Sequence, residues 1–139
     1  MQTLLDTAHC RLTLYRYPRQ SQDPLQAWDA ADEYLINTLA ETPLEQAGPV
    51  IIMNDGFGAL AAYLHPHSPC CVTDSYISKR ATLANLAENG LDAGGITLQD
   101  ALAPLPDAPA LVVIKVSKYQ ALLEQQLLAL REVVTPATR

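Results

Sequence analysis

Residues 49–75 constrain the fold of this chain more than any other part of the sequence. They begin with an uninterrupted apolar run at 49–53, which is typical of a strand buried on both faces of a parallel sheet. A glycine-containing turn and a short helix over 59–64 are predicted next, and a second apolar run ends at Asp74. This order of strand, glycine turn, helix and strand with a terminal carboxylate is typical of the nucleotide-binding half of a Rossmann-like sheet.

Hydrophobic periodicity predicts the other elements of the chain. Asp23, Pro24 and Gln26 have the pattern of a capped helix start. Trp28 is in register with the apolar stripe of that helix, which favours a core anchor over a base-stacking residue. The predicted elements are a strand or extended arm over 11–17, helices over 23–39, 78–89 and 119–133, and strands over 96–98 and 110–116.

The predicted fold class is α/β, with a mostly parallel sheet flanked by helices. Since crossovers between parallel strands are right-handed, the strand at 49–53 is expected beside the strand at 110–116. A proline-rich loop at 104–109 stands where a third crossover helix would be. The sequence stops where a doubly wound domain would enter its fifth strand, so we expect a fragment of a longer protein, with residues 112–114 close to an open edge.

Length and composition narrow the class of protein. A chain of 139 residues with 49% hydrophobic and 17% charged residues can bury one core and is not disordered as a whole. Its apolar runs are far shorter than the ~18 residues of a membrane span, and its start lacks the pattern of a secretion signal. Three cysteines give no disulfide framework. We therefore expect a cytoplasmic protein with no membrane partner.

The charge balance is acidic. A net charge of -6 and an isoelectric point near 4.8 argue against attraction of nucleic acid to the whole surface. Any contact with RNA would therefore need a local basic patch or a different domain.

A metal site is not predicted. His65, His67, Cys70 and Cys71 are close in sequence, but adjacent residues of a strand point to opposite faces, and no Cys-x-x-Cys motif is present. Buried thiols and loop histidines are the favoured interpretation.

Five segments of the chain are specific enough for comparison with known families: GPVIIMNDGFGAL, DSYISKRATLANLAENGL, VVIKVSK, LLEQQLLALREVVTPATR and PLQAWDAADEYL. Together they resemble the N-terminal domain of the large-subunit (23S) ribosomal RNA guanine-N2 methyltransferases. The resemblance covers about residues 11–139 and implies a class I methyltransferase-type fold. It also implies two domains in tandem. Residues 1–139 would be a degenerate, non-catalytic copy, and a C-terminal domain expected downstream would bind S-adenosylmethionine and carry an Asn-Pro-Pro motif. The implied partners are 23S rRNA and that catalytic domain.

The turn after the first strand of the motif departs from the pattern of a working methyltransferase, which is acid-x-Gly-x-Gly-x-Gly. Here the acid is replaced by Asn54 and the third glycine by Leu60. A leucine at that position places a branched side chain where cofactor or helix packing would be, so cofactor binding by this domain is predicted to be weak or lost. The vestigial cofactor-binding positions are Asn54, Asp55, Gly56, Gly58, Asp74 and Asp100.

The catalytic position differs as well. Where an amino-methylating enzyme has Asn-Pro-Pro and an aromatic residue, the chain reads Lys115, Val116, Ser117, Lys118 and Tyr119. No catalytic residue is assigned, and this domain alone is predicted to be inactive although the full-length protein would be an enzyme.

Cations near the carboxyl ends of the strands are candidates for RNA contact. Lys79, Arg80, Lys115 and Lys118 could form a local phosphate-binding patch, with Arg11 and Arg16 as a weaker pair. Solvated surface cations are an equally good interpretation. Two further functions remain open: a small nucleotide- or S-adenosylmethionine-binding module that uses Asp55 and Asp74, and a structural partner domain without RNA contact.

Overall fold

The computed structural model describes residues 2–21 and 23–139. Its strands are β1 (Leu4–Asp6), β2 (Arg11–Thr13), β3 (Val50–Met53), β4 (Cys70–Val72), β5 (Thr97–Gln99) and β6 (Leu111–Ile114). Its helices are α1 (Ala30–Glu41), α2 (Ala59–Tyr63), α3 (Tyr76–Glu88) and α4 (Gln120–Arg131), and short 3-10 turns lie at His65–His67 and Ala93–Gly95. The predicted alternation of helices and strands is confirmed from α1 onward.

Strands β3 to β6 form a parallel sheet in the spatial order β5-β4-β3-β6. In β3, Ile51 lies opposite Cys70 of β4 on one side and Val112 of β6 on the other. All four residues of β3 are buried, because a central strand of a parallel sheet is covered on both faces. The α/β fold class and the predicted neighbourhood of β3 and β6 are confirmed.

The helices cover the two faces of the sheet unequally. Helices α1, α2 and α3 contribute Ile36, Leu60 and Leu86 to the larger core, which also contains Ile52. On the opposite face, Leu130 of α4 belongs to a smaller apolar cluster with residues of β3 and β4. The carboxyl ends of the strands lie between these two layers.

The outer edge of β6 is partly covered. The N–H of Val112 donates to the carbonyl of Arg139 at 2.8 Å, and the N–H of Arg139 donates to the carbonyl of Ala110 at 3.0 Å. This is the hydrogen-bond pattern of a parallel ladder. The edge predicted to be open is therefore closed at one position.

The predicted start of the first helix is wrong. Helix α1 begins at Ala30 after its cap at Asp29, whereas the pattern predicted the cap at Asp23, six residues earlier. The carboxylate of Asp23 accepts instead from Arg16 Nη1 at 3.1 Å and from the N–H of Leu25 at 3.0 Å. These local bonds hold a turn in place of a helix.

The true cap of α1 is Asp29. Its carboxylate accepts from the N–H of Asp32 at 3.0 Å, and the carboxylate of Asp32 accepts from the N–H of Asp29 at 3.1 Å. This reciprocal capping box satisfies two backbone donors that the helix leaves free. Trp28 precedes the helix and is only 5% exposed, which confirms its prediction as a core anchor.

Residues 4–13 form a hairpin of β1 and β2, and residues 14–19, which we call the arm, follow it without regular secondary structure. β2 is shorter than predicted and pairs with β1, which the sequence pattern missed. Leu12 and Leu14 are both buried, as the alternation predicted. At the end of β2 the N–H of Thr13 donates to Asn89 Oδ1, and beyond it the N–H of Tyr15 donates to Asn85 Oδ1, so the arm lies against α3.

Candidate functional site

A cleft of about 520 Å³ lies at the carboxyl ends of β3, β4 and β6, where open α/β sheets bind ligands. Among the residues that line it are Asn54, Asp55, Asp74 and Lys115. The structure thus brings together four of the predicted site residues. Gly56, Gly58 and Asp100 do not line this cleft.

Asn54 follows β3 with a positive φ of 69°, a conformation that asparagine tolerates better than most residues. Its Nδ2 donates to Gln126 Oε1 at 3.0 Å and to the carbonyl of Lys115 at 2.9 Å. In return, Gln126 Nε2 donates to Asn54 Oδ1 at 2.9 Å. Gln126 is 2% exposed, so these bonds are shielded from water. The residue that replaces the expected acid joins β3 to β6 and α4.

Asp55 is buried beside Asn54. Its Oδ2 accepts from the N–H of Ala61 at 2.9 Å, which holds the turn onto α2. Burial raises the pKa of Asp55 to about 6, the negative charge of Asp32 adds to the increase, and the bond from Ala61 opposes it. Within the described residues, no group donates to its other oxygen, Oδ1.

The two glycines of the turn have different roles. Gly58 has a φ of +95°, and a Cβ there would lie 2.8 Å from the Cα of Thr82. It is therefore needed for the close approach of the turn to α3. A Cβ on Gly56 would meet open space. Leu60 is fully buried in the core, so the leucine that replaces the third glycine fills the packing beneath the turn, and its side chain does not line the cleft.

The two acidic positions after β4 and β5 hold a loop. Asp74 Oδ1 accepts from the N–H of Ala101 at 2.9 Å. Asp100 Oδ1 accepts from the N–H groups of Leu102 and Ala103 at 3.0 and 3.1 Å. Both carboxylates stand at the ends of strands as predicted, and their vestigial ligand role remains a prediction.

Lys115 turns toward α1. Its Nζ donates to Asp32 Oδ1 at 3.0 Å and to Asp29 Oδ2 at 3.1 Å. The Lys115 side chain is 17% exposed and that of Asp32 4%, so this is a largely buried ion pair. Burial lowers the pKa of Lys115, but the two carboxylates outweigh it and the net pKa is raised.

The two carboxylates of this ion pair differ in their surroundings. Burial raises the pKa of Asp32 against the opposing charge of Lys115. Burial acts in the same direction on Asp29, but its bonds to the Asp32 N–H and to Lys115 bring its net pKa below the ordinary value. The sequence pattern did not predict this cluster. The spacing Asp29-x-x-Asp32 signals the cap but not the partner, which lies 83 residues away from Asp32.

The other predicted RNA-contact residues do not line the cleft. Lys79 and Arg80 are on α3, and the Nζ of Lys118 lies 5.6 Å from the centroid of the Tyr119 ring. Arg11 is on β2, where it forms an exposed ion pair with Asp6 at 3.7 Å. Of the predicted cations, the structure therefore places Lys115 alone among the described lining residues of the cleft.

Aromatic rings accompany the cations of the arm. The guanidinium of Arg16 lies 5.7 Å from the ring centroid of Phe57, and that of Arg80 lies 5.9 Å from that of Tyr17. Arg19, which the sequence analysis missed, lies 3.5 Å from the centroid of Tyr15. The alternation of tyrosine and arginine at residues 15–19 was the sequence signal that could have indicated these arginine–tyrosine contacts.

Within residues 2–21 and 23–139, no group of three or more His, Cys, Asp and Glu side chains could hold a metal ion. Cys70 and Cys71 are buried in β4, where burial raises the pKa of both thiols. His65 Nε2 lies 2.8 Å from the carbonyl of Asp92. Separately, no helix in the described part of the chain is long and apolar enough to cross a membrane.

The cleft fits S-adenosylmethionine poorly. The side chain that would face the cofactor after β3 is engaged with Gln126 and Lys115. After β6, the ammonium of Lys115 is already paired with Asp32, and the hydroxyl side chains of Ser117 and Tyr119 line the cleft. This segment has no Asn-Pro-Pro motif. We therefore derive no methyl-transfer step in this cleft.

A family model described as RLMG N-terminal domain matches residues 2–139. The ribosomal RNA large subunit methyltransferase G of Aeromonas salmonicida (strain A449) is 91% identical over 139 residues, which are 100% of this chain and 37% of that protein. The protein of the same name from Pectobacterium atrosepticum is 54% identical over 136 residues, which are 97% of this chain and 36% of that protein. The chain thus spans about a third of the length of these curated relatives.

Solved structures show the same fold at low sequence identity. The ribosomal protein L11 methylase from Lactobacillus delbrueckii subsp. bulgaricus superposes with a TM-score of 0.70 at 18% identity, covering 99% of this chain and 77% of that chain. The glycopeptide N-methyltransferase MtfA complexed with S-adenosyl-L-methionine gives a TM-score of 0.57 at 19% identity, covering 76% of this chain and 46% of that chain. At these identities the likeness concerns the fold alone.

Proposed function

Because this chain belongs to the RLMG N-terminal domain family, we propose that it is the non-catalytic N-terminal domain of an S-adenosylmethionine-dependent 23S rRNA guanine-N2 methyltransferase. In this role it positions rRNA and supports a catalytic domain that follows it in the full-length protein. The proposal places the protein in the cytoplasm. The observation that carries the non-catalytic role is the reciprocal amide pair of Asn54 and Gln126.

Three features support the absence of chemistry in this domain. The acid of the cofactor turn is an amide with internal partners. The ammonium of Lys115 is neutralised by Asp29 and Asp32. The third feature is the sequence after β6, which lacks the oxygen-bearing Asn-Pro-Pro segment that would hold a target amine. A methyltransferase fold without these groups has a cleft but no means of activating an acceptor.

The role in RNA positioning is supported by the relatives and by the local charge. The curated relatives carry names that specify ribosomal RNA of the large subunit, and the guanine N2 target comes from the family resemblance alone. Although the net charge is -6, Lys79 and Arg80 stand together on α3. Neither has a carboxylate within 4 Å in the described part of the chain. Local cations of this kind contact phosphates without requiring a basic protein.

A transfer assay tests the proposal. The 139-residue chain is incubated with unmodified 23S rRNA and S-adenosylmethionine that carries a radioactive methyl group, beside the full-length protein that contains it. We expect incorporation into guanine N2 with the full-length protein and none with this chain. Incorporation by the chain alone would overturn the non-catalytic role. Absence of a downstream glycine turn and Asn-Pro-Pro motif in the gene would overturn the tandem arrangement.

A further inference from the structure

The arm beyond β2 runs antiparallel to α3 and is fixed to it. Asn85 of α3 is 1% exposed. It accepts from the N–H of Tyr15 and donates to the carbonyl of the same residue, both at 2.9 Å. Its Nδ2 also donates to the carbonyl of Phe57 at 2.8 Å. Buried hydrogen bonds of this kind order the arm before any ligand arrives.

Arginine and tyrosine side chains pair with each other on the arm and on α3 in the absence of a ligand. The guanidinium of Arg19 lies 3.5 Å from the centroid of the Tyr15 ring, which is the distance of direct stacking. The Arg80 guanidinium on α3 lies 5.9 Å from the ring centroid of Tyr17. At the start of α3, the ring of Tyr76 is 69% exposed. We call this set of five residues the arm–α3 surface.

The two arginines of the arm–α3 surface, Arg19 and Arg80, are free of strong ion pairs among the described residues and can bind a ligand. Arg16 is paired with Asp23 at 3.1 Å, which largely neutralises its charge. Among the described residues, the ion pair of Arg19 is a long, exposed one with Glu88 at 3.7 Å, a kind of pair that contributes little. No carboxylate lies within 4 Å of Arg80 in residues 2–21 and 23–139. Two arginines can therefore meet phosphates or base faces.

We infer that the arm–α3 surface binds unpaired RNA nucleotides by stacking their bases on Tyr76 and on the arginine–tyrosine pairs. This inference rests on the proposed role in RNA positioning and adds its site and its substrate class. Exposed aromatic rings and guanidinium planes accept the faces of unstacked bases, which a duplex does not offer. On an acidic chain, the two arginines of the arm–α3 surface give little Coulombic attraction for a duplex backbone. Unpaired nucleotides are the form of RNA that these groups recognise.

The test is a comparison of RNA affinities by fluorescence anisotropy. A labelled single-stranded 12-nucleotide RNA and the same strand annealed to its complement are titrated with the 139-residue chain. We expect at least about tenfold tighter binding of the single strand. With two phosphates contacted, the slope of log K against log salt should be about -1.4. Equal or tighter binding of the duplex would overturn the inference.

Substitutions locate the contact. Tyr76→Ala should weaken single-strand binding about tenfold, since base–aromatic stacking is of this order, whereas Tyr76→Phe should retain it. Tyr34→Ala is the matched control, because Tyr34 is equally exposed, at 70%, on α1. Arg80→Glu should weaken binding about tenfold, and Arg131→Glu, which changes the net charge equally on α4, should not.

The outcomes separate this inference from the proposed function. If the chain binds RNA and the Tyr76 and Arg80 variants bind it as well as the wild type does, the arm–α3 surface is the wrong site while RNA positioning stands. If it binds neither form of RNA, both fail. If the variants lose affinity for the catalytic domain and not for RNA, the surface is a protein interface and the inference is wrong.

Discussion

Asn54 and Gln126 exchange two amide hydrogen bonds of 3.0 and 2.9 Å although 72 residues separate them in sequence. The pair stands where a class I methyltransferase would present the acid of its glycine turn. Here the same position stabilises the junction of β3 with α4. The turn after β3 thus takes part in holding the sheet against α4.

Restoration of the acid should destabilise the fold. Asn54→Asp removes both amide donations and places a carboxylate beside Gln126 Oε1 and the Lys115 carbonyl, which leaves buried acceptors unpaired. The free energy of unfolding, measured by urea denaturation at pH 7, should fall by about 1–3 kcal/mol. Asn37→Asp, the same change at an exposed position of α1, should alter it by less than about 0.5 kcal/mol. Equal effects at the two positions would contradict a structural role for Asn54.

Removal of the Lys115 charge should destabilise the fold, because Asp32 would then be a buried carboxylate without a cation. Lys115→Met leaves the carboxylate of Asp32, 4% exposed, without its cation, and should cost about 3 kcal/mol of stability. Lys118→Met is the control, since Lys118 is exposed. The double variant Lys115→Met/Asp32→Asn should recover part of the loss, because the amide keeps an oxygen to accept from the Asp29 N–H. A single variant as stable as the wild type would refute the ion pair.

The glycine turn offers a matched pair of substitutions. Gly58→Ala combines a φ of +95° with a Cβ 2.8 Å from the Thr82 backbone, and should lower the free energy of unfolding by at least about 2 kcal/mol. Gly56→Ala meets open space and should leave stability unchanged or raise it by up to about 1 kcal/mol. Thermal unfolding followed by circular dichroism compares them. A reversed order would show that the turn is held for another reason.

Stability should fall as pH rises through the range in which Asp55 ionises. Its folded pKa of about 6 lies above the ordinary value of 3.8, so the folded state binds more protons between these two values. The stabilisation is complete below about pH 4 and is lost by about pH 7, a change of roughly 3 kcal/mol. Asp55→Asn keeps an acceptor for the Ala61 N–H and should remove this component of the pH profile. Parallel profiles for the two proteins would show that Asp55 is not the group responsible.

The parts of the fold that local pattern determines were predictable. β3 is an uninterrupted apolar run, and α3 ends in an Asn-Gly pair whose Gly90 has a φ of +69°. Both signals are contained within a few residues. The start of α1 was not predictable in the same way, because Asp23 and Asp29 both have the pattern of a cap. In the structure Asp29 caps α1 and pairs with Lys115, whereas Asp23 pairs with Arg16, and the local pattern signals neither ion pair.

In the candidate site too, features set by local sequence were predictable and those set by long-range contacts were not. The loss of the glycine pattern could be predicted from Asn54 and Leu60, but the use of those residues could not. Gln126 lies on α4 and gave no signal of a link to β3. Lys115 was predicted to face RNA, and its burial against α1 depends on a long-range contact. The internal contacts of Asn54 and Lys115 are visible only in three dimensions.

The most direct test of the central claim is calorimetric titration of S-adenosylmethionine into the 139-residue chain, with an active class I methyltransferase domain as the positive control. We expect no saturable heat up to about 1 mM cofactor, which means that any binding is weaker than about 4 kcal/mol. Saturable one-to-one binding that is lost in Asp74→Ala would contradict it, and would show that the cleft still holds a cofactor.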